Sequence, residues 1–300
     1  MMSDAIKKLD FLLLGMPRSG TSATARYLSA MEGVFCGQEV FPVTLDHSAL
    51  AMPDAFLEPQ HPRWNDSAVE EVSRRKDEIR VWGNKTPTYF NGLERLRKEL
   101  DDCPLVVCLR DPLAVARSYS TRATNEKDPW ASWRHGIFAV GDTLVLSQVL
   151  ASARDPEQIL LLPHSDLVKD WQSAMGRVAQ HISPNNEMKF RSEAIDEINK
   201  IKKRQTNRKK VELAPVEMNA IRRIERTGLS DFFNDCGIVT LDMVQSELDE
   251  IVKKGPPHPI SFIRRLCQEH PVPEVVDRAE NWLKTTSRTL KRVRNEQAAA

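Results

Sequence analysis

The chain has 300 residues, of which 41% are hydrophobic and 28% are charged, a balance typical of globular proteins. A chain of this length forms one large domain, or one domain with a helical annex, and buries enough surface to fold without disulfides or metals. The formal net charge of +1 excludes an overall basic field, so we expect no nucleic-acid partner and a local site for any anion.

The five cysteines form no C-x-x-C pair, so the sequence indicates neither a zinc site nor a disulfide framework. This cysteine usage favours a reducing, cytoplasmic compartment. The N-terminal apolar run at residues 11–14 is too short for a signal peptide. No later segment approaches the ~18 apolar residues that a membrane span needs.

Apolar runs alternate with helical patterns along the first 183 residues. The predicted strands are residues 10–15, 79–82, 104–110 and 158–163, and the predicted helices are 21–31, 67–79, 89–100, one starting at 111–112, an amphipathic helix at 130–154, and 165–181. This alternation predicts a parallel sheet covered by helices on both faces. The proline-rich residues 41–65 are expected to form a long functional loop with short helical pieces.

The pattern changes after Ser183-Pro184, where apolar strands disappear and charged helical segments take over. The basic run at residues 202–210 is interpreted as a solvated helix face. We therefore predict an α/β fold, with a P-loop-like parallel sheet flanked by helices and a helical C-terminal extension. Residues 1–183 form its core, and residues 184–300 complete or cap the same domain.

A glycine-rich loop, Gly15-Met-Pro-Arg-Ser-Gly-Thr-Ser22, lies between the first predicted strand and helix. Its glycine spacing matches a P-loop, in which backbone N–H groups and a helix N-terminus hold phosphate. Thr21 stands where a triphosphate-binding P-loop has lysine, and the cation lies inside the loop, at Arg18. The strand at 104–109 is followed by Arg110, whereas a magnesium site needs an aspartate there. The loop therefore predicts a phosphate site without a metal-bound triphosphate.

A second basic group follows the strand at 104–109. Ser118 and Arg122 come 8 and 12 positions after Arg110. Because Ser118 and Arg122 are four residues apart on a predicted helix, they share one face. The planar fork of arginine suits a phosphate dianion. Taken alone, Arg122 is better explained as a solvated surface charge.

Residues 17–22, Pro-Arg-Ser-Gly-Thr-Ser, resemble the 5′-phosphosulfate loop of sulfotransferases that use 3′-phosphoadenosine 5′-phosphosulfate (PAPS), especially the tyrosylprotein and bacterial branches. The spacing of Arg110, Ser118 and Arg122 is similar to the 3′-phosphate element of the same family. The resemblance covers about residues 10–183 and implies PAPS as co-substrate, 3′-phosphoadenosine 5′-phosphate (PAP) as product, and no metal. The family's C-terminal Arg-Lys-Gly-x-x-Gly segment is absent.

The resemblance also implies which residues act. The residues expected to hold the 5′-phosphate are Arg18, Ser19, Gly20, Thr21 and Ser22, and those expected at the 3′-phosphate are Arg110, Ser118 and Arg122. Glu39, 21 positions after Arg18, matches the catalytic base of the tyrosylprotein branch, with His47 as the alternative base. Lys85 matches a lysine that faces the sulfonate, where it and Arg18 stabilise developing charge.

The acceptor hydroxyl is expected on a carbohydrate or a small molecule, and a peptide tyrosine stays open. Two alternatives to a sulfotransferase are a P-loop nucleotide kinase or phosphotransferase, and a non-catalytic nucleotide-binding protein. Thr21 and Arg110 disfavour the kinase, and the presence of Glu39 and Lys85 disfavours the non-catalytic protein. The sequence carries no signal for an oligomeric state.

Overall fold

The structure is a computed structural model, and it describes residues 8–58, 66–125, 130, 132–196, 198, 211–256 and 258–299. The basic run predicted as a solvated helix face, residues 202–210, lies outside the described residues. Among the helices that are described, none is long and apolar enough to cross a membrane.

Six strands form one sheet in the order β2-β3-β1-β4-β5-β6. Their bounds are β1 Phe11–Gly15, β2 Val34–Gln38, β3 Val81–Lys85, β4 Leu105–Leu109, β5 Ile159–Pro163 and β6 Val239–Thr240. Strand β3 pairs in parallel with both β1 and β2, whereas β6 pairs antiparallel with β5. The predicted α/β fold, with a mostly parallel sheet and a helical C-terminus, is confirmed.

Two strands differ from the sequence-based expectation. Strand β2 was not predicted, because Gly37 interrupts its short apolar run. The expectation that strands end before residue 184 is wrong, since β6 pairs Val239 with Leu161 and Thr240 with Leu160. At two residues, β6 is too short to leave a period-two pattern in the sequence.

Helices cover the sheet and make up most of the C-terminal third. The bounds are α1 Thr21–Ser29, α2 Asp54–Leu57, α3 Asp66–Arg75, α4 Leu93–Glu99, α5 Pro112–Ala123, α6 Gly136–Ala151, α7 His164–Lys169, α8 Trp171–Ile182, α9 Pro215–Glu225, α10 Leu229–Asp235, α11 Gln245–Lys253, α12 Pro259–Gln268 and α13 Pro273–Ala299. The helix predicted at 165–181 is divided into α7 and α8. Asp170 starts α8 by accepting a hydrogen bond from the Ser173 N–H.

The chain forms two compact units. The first unit contains Met1–Gly15, Gly20–Val107 and Asp166–Arg208. The second unit contains Met16–Ser19, Cys108–Ser165 and Lys209–Ala300. The sequence-based division into residues 1–183 and 184–300 stays a prediction.

An aromatic cluster forms part of the core of the first unit. The Phe56 ring stacks on Trp82 at 5.6 Å between centroids and meets Phe35 edge-on at 5.2 Å. Gly37 permits this packing, because a Cβ atom at that position would lie 2.4 Å from the Phe56 ring. The cluster therefore fixes β2 and β3 against each other, up to the ends where the candidate site lies.

The centre of the second unit is α6. Helices α5, α9, α11, α12 and α13 pack against it, and 14 of its 16 residues are buried. The expectation of an amphipathic helix at 130–154 is therefore wrong in two respects. The helix starts at Gly136, and its apolar residues occupy every face because neighbouring helices surround it.

Candidate functional site

The loop between β1 and α1 has a left-handed backbone conformation at Gly20, just before the helix. Gly20 has φ 107° and precedes the first helical residue, a left-handed conformation that glycine adopts at little cost. The Gly20 carbonyl accepts the N–H groups of Ala23 and Thr24 at 2.9 and 3.0 Å. The first N–H groups of a helix have no intrahelical acceptor and carry its positive dipole end. Thr21 and Ser22 therefore lie where an anion is favoured.

Ser19 carries an unsatisfied hydroxyl inside this loop. The residue is 1% exposed, and no described residue offers its Oγ atom a hydrogen-bond partner. A buried polar atom without a partner costs about 1–3 kcal/mol. A phosphate oxygen accepts a hydrogen bond from a hydroxyl of this kind, so the loop fits the phosphate group that the sequence predicts.

Arg18, Arg110 and Ser118 come together in the second unit. The Arg18 Nε atom donates to Ser118 Oγ at 3.0 Å, and Arg110 Nη1 donates to the Arg18 carbonyl at 2.9 Å. Arg18 itself has φ 71°. Burial lowers the pKa of Arg110, and the adjacent Asp111 carboxylate opposes that effect. Two guanidinium groups and a hydroxyl at one place form a site for an anion.

Local helix chemistry places Ser118. Asp111 caps α5 by accepting the N–H groups of Leu113 and Ala114 at 3.1 and 3.2 Å, and Pro112 occupies the first helical position. The helix start predicted at residues 111–112 is confirmed. Asp111 therefore has a structural role at the start of α5.

Arg122 lies one helical turn beyond Ser118 on α5. Its guanidinium carbon is 5.7 Å from the centre of the Trp130 ring, within the range of a cation–π interaction. Arg122 is thus held against an aromatic side chain and is not a fully solvated surface charge.

His164 is a neighbour of Arg110 to which the sequence analysis assigns no ligand contact. It follows β5 directly and is half-buried. Burial, with a smaller contribution from the Arg110 charge, lowers the pKa of His164 to about 4. The imidazole is therefore uncharged at neutral pH and offers one donor and one acceptor beside the guanidinium.

Glu39 and Lys85 form an ion pair in the first unit. Strands β2 and β3 are in register with Gln38 opposite Lys85, so Glu39 follows immediately and its N–H donates to the Lys85 carbonyl at 2.6 Å. The Lys85 Nζ atom lies 2.9 Å from Glu39 Oε1, with the lysine side chain 2% and the glutamate side chain 37% exposed. Lys85 is therefore the buried end of a strand and not a surface turn, while Glu39 remains accessible to solvent.

Hydrogen bonds hold the chain that follows Glu39. The Phe41 carbonyl accepts from the hydroxyls of Tyr89 and Thr86 at 2.7 and 3.2 Å. Asn84 donates to the Tyr89 hydroxyl and, at 3.4 Å, to the same carbonyl. These bonds fix the backbone two residues beyond the carboxylate, which limits the conformations open to Glu39.

His47, the alternative base, lies in the core. It is 0% exposed, with Nδ1 at 2.9 Å from the Leu45 carbonyl and Nε2 at 3.2 Å from the Tyr89 hydroxyl. Burial lowers its pKa. An imidazole whose two nitrogens are both enclosed does not reach an acceptor hydroxyl, so the geometry favours Glu39 over His47.

His135, Glu217 and His270 form the one group in the described part of the chain whose atoms lie close enough to hold a metal ion. The Val272 N–H donates to His270 Nδ1 at 3.2 Å, so Nε2 carries the ring proton and faces Glu217 Oε1 at 3.3 Å. Glu217 also accepts the N–H groups of Ile137 and Ala214, which explains the cluster as a link between α6 and α9.

The match to a family model agrees with the sequence resemblance. Residues 10–185, more than half of the chain, match a family model described as "Sulfotransferase family". A sulfotransferase from Alicyclobacillus acidocaldarius is 14% identical with a TM-score of 0.41, and the match covers 65% of this chain and 92% of that chain. The sulfotransferase domain of the Synechococcus PCC 7002 olefin synthase is 15% identical with a TM-score of 0.43, over 86% and 99%.

A mouse sulfotransferase complexed with PAP is 13% identical with a TM-score of 0.38, over 98% of this chain and 89% of that chain. A search of curated proteins found no match.

Proposed function

Because the chain belongs to the sulfotransferase family, we propose that it transfers a sulfuryl group from PAPS to an acceptor hydroxyl and releases PAP. The observation that carries the proposal is the arrangement of Arg18, Arg110 and Ser118, with Arg18 Nε 3.0 Å from Ser118 Oγ. Two arginines suit a donor with phosphates at two positions. Thr21 and Arg110 stand where a magnesium-dependent kinase has a lysine and a metal carboxylate, which disfavours that alternative.

We assign the 5′-phosphate to the loop before α1. The unsatisfied Ser19 hydroxyl and the N-terminus of α1 support this assignment. The residues assigned there are Arg18, Ser19, Gly20, Thr21 and Ser22. The residues assigned to the 3′-phosphate are Arg110, Ser118 and Arg122.

The proposed reaction is an in-line displacement at sulfur. The acceptor oxygen forms a new bond to sulfur, the bond from sulfur to the 5′-phosphate oxygen breaks, and PAP leaves. Glu39 takes the acceptor's proton, and its 37% exposed side chain is accessible to a substrate. Arg18 and Lys85 neutralise the charge that develops on the bridging oxygen and the sulfonate. No step requires a metal ion.

The acceptor is proposed to carry its hydroxyl on a carbohydrate or a small molecule, with a peptide tyrosine as the alternative. The loop after Glu39 supports a role in acceptor recognition. Thr44, Asp46 and Ser48 are exposed there, and hydroxyl and carboxylate groups bind sugar hydroxyls well. The cytoplasmic location stays a prediction. It agrees with the described structure, in which none of the five cysteines forms a disulfide bond.

Calorimetric titration with PAP, without magnesium and with ATP as the comparison, tests the donor assignment. We expect micromolar binding of PAP and little binding of ATP, because Thr21 stands in place of the kinase lysine and Arg110 in place of the metal carboxylate. Binding of ATP that appears only with magnesium, without binding of PAP, would contradict the proposal and favour the kinase.

Arg110→Ala is expected to weaken PAP binding about 10- to 100-fold, the size of a lost charge-assisted hydrogen bond at a partly buried site. The turnover number at saturating PAPS should change much less, because Arg110 is assigned to the 3′-phosphate and has no part in the proposed proton transfer. Titration of PAP and steady-state kinetics measure the two effects. Arg154→Ala removes an exposed arginine of the same unit and serves as the control. An unchanged PAP affinity in Arg110→Ala would remove Arg110 from the donor site.

A further inference from the structure

In the second unit, near Ser118, the Trp130 ring contacts the guanidinium groups of both Arg122 and Arg134. The guanidinium carbon of Arg134 lies 4.8 Å from the centre of the Trp130 ring, and that of Arg122 lies 5.7 Å from the same centre. One indole therefore contacts two arginines. Attraction of each guanidinium to the ring offsets part of the repulsion between the two positive charges. This arrangement therefore needs an aromatic side chain at residue 130.

Arg134 is itself anchored in the interior. Its Nη2 atom lies 3.4 Å from Asp142 Oδ2, and its guanidinium covers the Tyr119 ring at 5.4 Å. Asp142 also accepts the Tyr119 hydroxyl at 2.6 Å and the Trp282 indole N–H at 3.2 Å. Asp142 is 2% exposed. Its three polar partners hold the buried carboxylate in one position.

Tyr119 connects the buried Asp142 carboxylate to α5, the helix that carries Ser118. The Tyr119 and Trp130 rings meet edge-on with centroids 4.7 Å apart, and Tyr119 follows Ser118 directly in α5. On a helix, Ser118 and Arg122 share one face. The indole of Trp130 thus contacts Arg134 and Tyr119. It also contacts Arg122, a residue of the proposed donor-binding face of α5.

A flexible arginine loses conformational freedom when it is ordered on a phosphate. A guanidinium that already stacks on an aromatic ring has lost much of that freedom, and its N–H groups still point outward in the plane of the fork. Stacking of Arg122 therefore prepares it for an anion before the anion arrives.

We propose that Trp130, held in place by Arg134, is a positioning residue that orients the Arg122 guanidinium toward the 3′-phosphate of the donor. This inference rests on the proposed function and assigns Trp130 and Arg134 a role that the sequence did not indicate. Neither residue touches the reacting atoms. Their effect is on the affinity for a nucleotide that carries a 3′-phosphate.

The test compares PAP with 5′-AMP, which lacks the 3′-phosphate, by calorimetry on the full chain. Trp130→Leu is expected to raise the dissociation constant of PAP about 3- to 30-fold, the range of a lost cation–π contact. The dissociation constant of 5′-AMP and the turnover number at saturating PAPS should not change. Trp130→Phe retains an aromatic face and should recover part of the PAP affinity.

Trp133→Leu is the matched control, since Trp133 packs on Phe138 at 5.0 Å in the same segment. It should leave the ratio of the PAP and 5′-AMP dissociation constants unchanged. In an Arg122→Ala background, Trp130→Leu should have no further effect on PAP affinity. Circular dichroism and thermal melting establish that each variant is folded.

The outcomes separate the two proposals. If the wild-type chain binds PAP no more tightly than 5′-AMP, the donor assignment itself fails. If the wild-type chain prefers PAP and Trp130→Leu keeps the full preference, the positioning role is overturned. Equal weakening of PAP and 5′-AMP by Trp130→Leu also overturns it, because that result describes general damage to the site.

Discussion

Glu39→Gln is expected to lower the turnover number by ~10²–10⁴ while PAP still binds with wild-type affinity, because the amide cannot take the proton of the acceptor hydroxyl. The substitution is structurally mild. Glutamine keeps a side-chain oxygen that can accept the hydrogen bond from Lys85 Nζ, now 2.9 Å from Glu39 Oε1. Steady-state kinetics at saturating PAPS and calorimetry with PAP measure the two quantities.

Glu32→Gln is the control for the loss of one negative charge. Glu32 is exposed and lies just before β2, whereas Glu39 lies just after the same strand. A wild-type turnover number in Glu39→Gln would show that another group takes the proton. His47 is not a ready substitute, since both of its ring nitrogens are enclosed.

Lys85→Met is expected to lower the turnover number by ~10²–10³, the usual effect of removing one group that stabilises charge in the transition state. Methionine fills most of the volume of a side chain that is only 2% exposed, so a large cavity is not created. PAP affinity should stay near the wild-type value, because PAP lacks the sulfonate that Lys85 is proposed to face. Kinetics with PAPS and titration with PAP separate these effects.

Lys98→Met is the matched control, as Lys98 is an exposed lysine on α4 of the same unit. A parallel fall in PAP affinity and turnover in Lys85→Met would place Lys85 on a phosphate of the nucleotide instead of the sulfonate. A turnover number equal to that of Lys98→Met would remove Lys85 from the catalytic group.

The parts of the site that the sequence predicted depend on local structure. The loop from Gly15 to Ser22 needs glycine at a left-handed turn, and Gly20 has φ 107°, so its signal is contained in eight consecutive residues. The position of Ser118 relative to Arg122 follows from helical geometry alone. Local patterns of this kind remain readable without knowledge of the tertiary fold.

The parts that the sequence missed depend on how distant segments meet. The contact between Glu39 and Lys85 follows from the register of β2 against β3, and β2 is short and interrupted by Gly37. The burial of His47 depends on Tyr89, 42 residues later. Trp130 and Arg134 were assigned to a helix that starts only at Gly136, so the contacts of Trp130 with Arg122 and Arg134 could not be read from periodicity.

The left-handed backbone at Arg18 and Glu39, with φ of 71° and 61°, has a consequence for how stability and activity vary together. Residues other than glycine pay about 1–2 kcal/mol for this conformation, and sites that retain such strain are often functional. Glycine at either position would relieve this backbone strain, but it would also break the bond from Arg18 to Ser118 or leave the buried Lys85 without its carboxylate partner. It would also remove the arginine or the carboxylate that the proposed chemistry uses. Stability and the proposed activity therefore depend on the same two side chains.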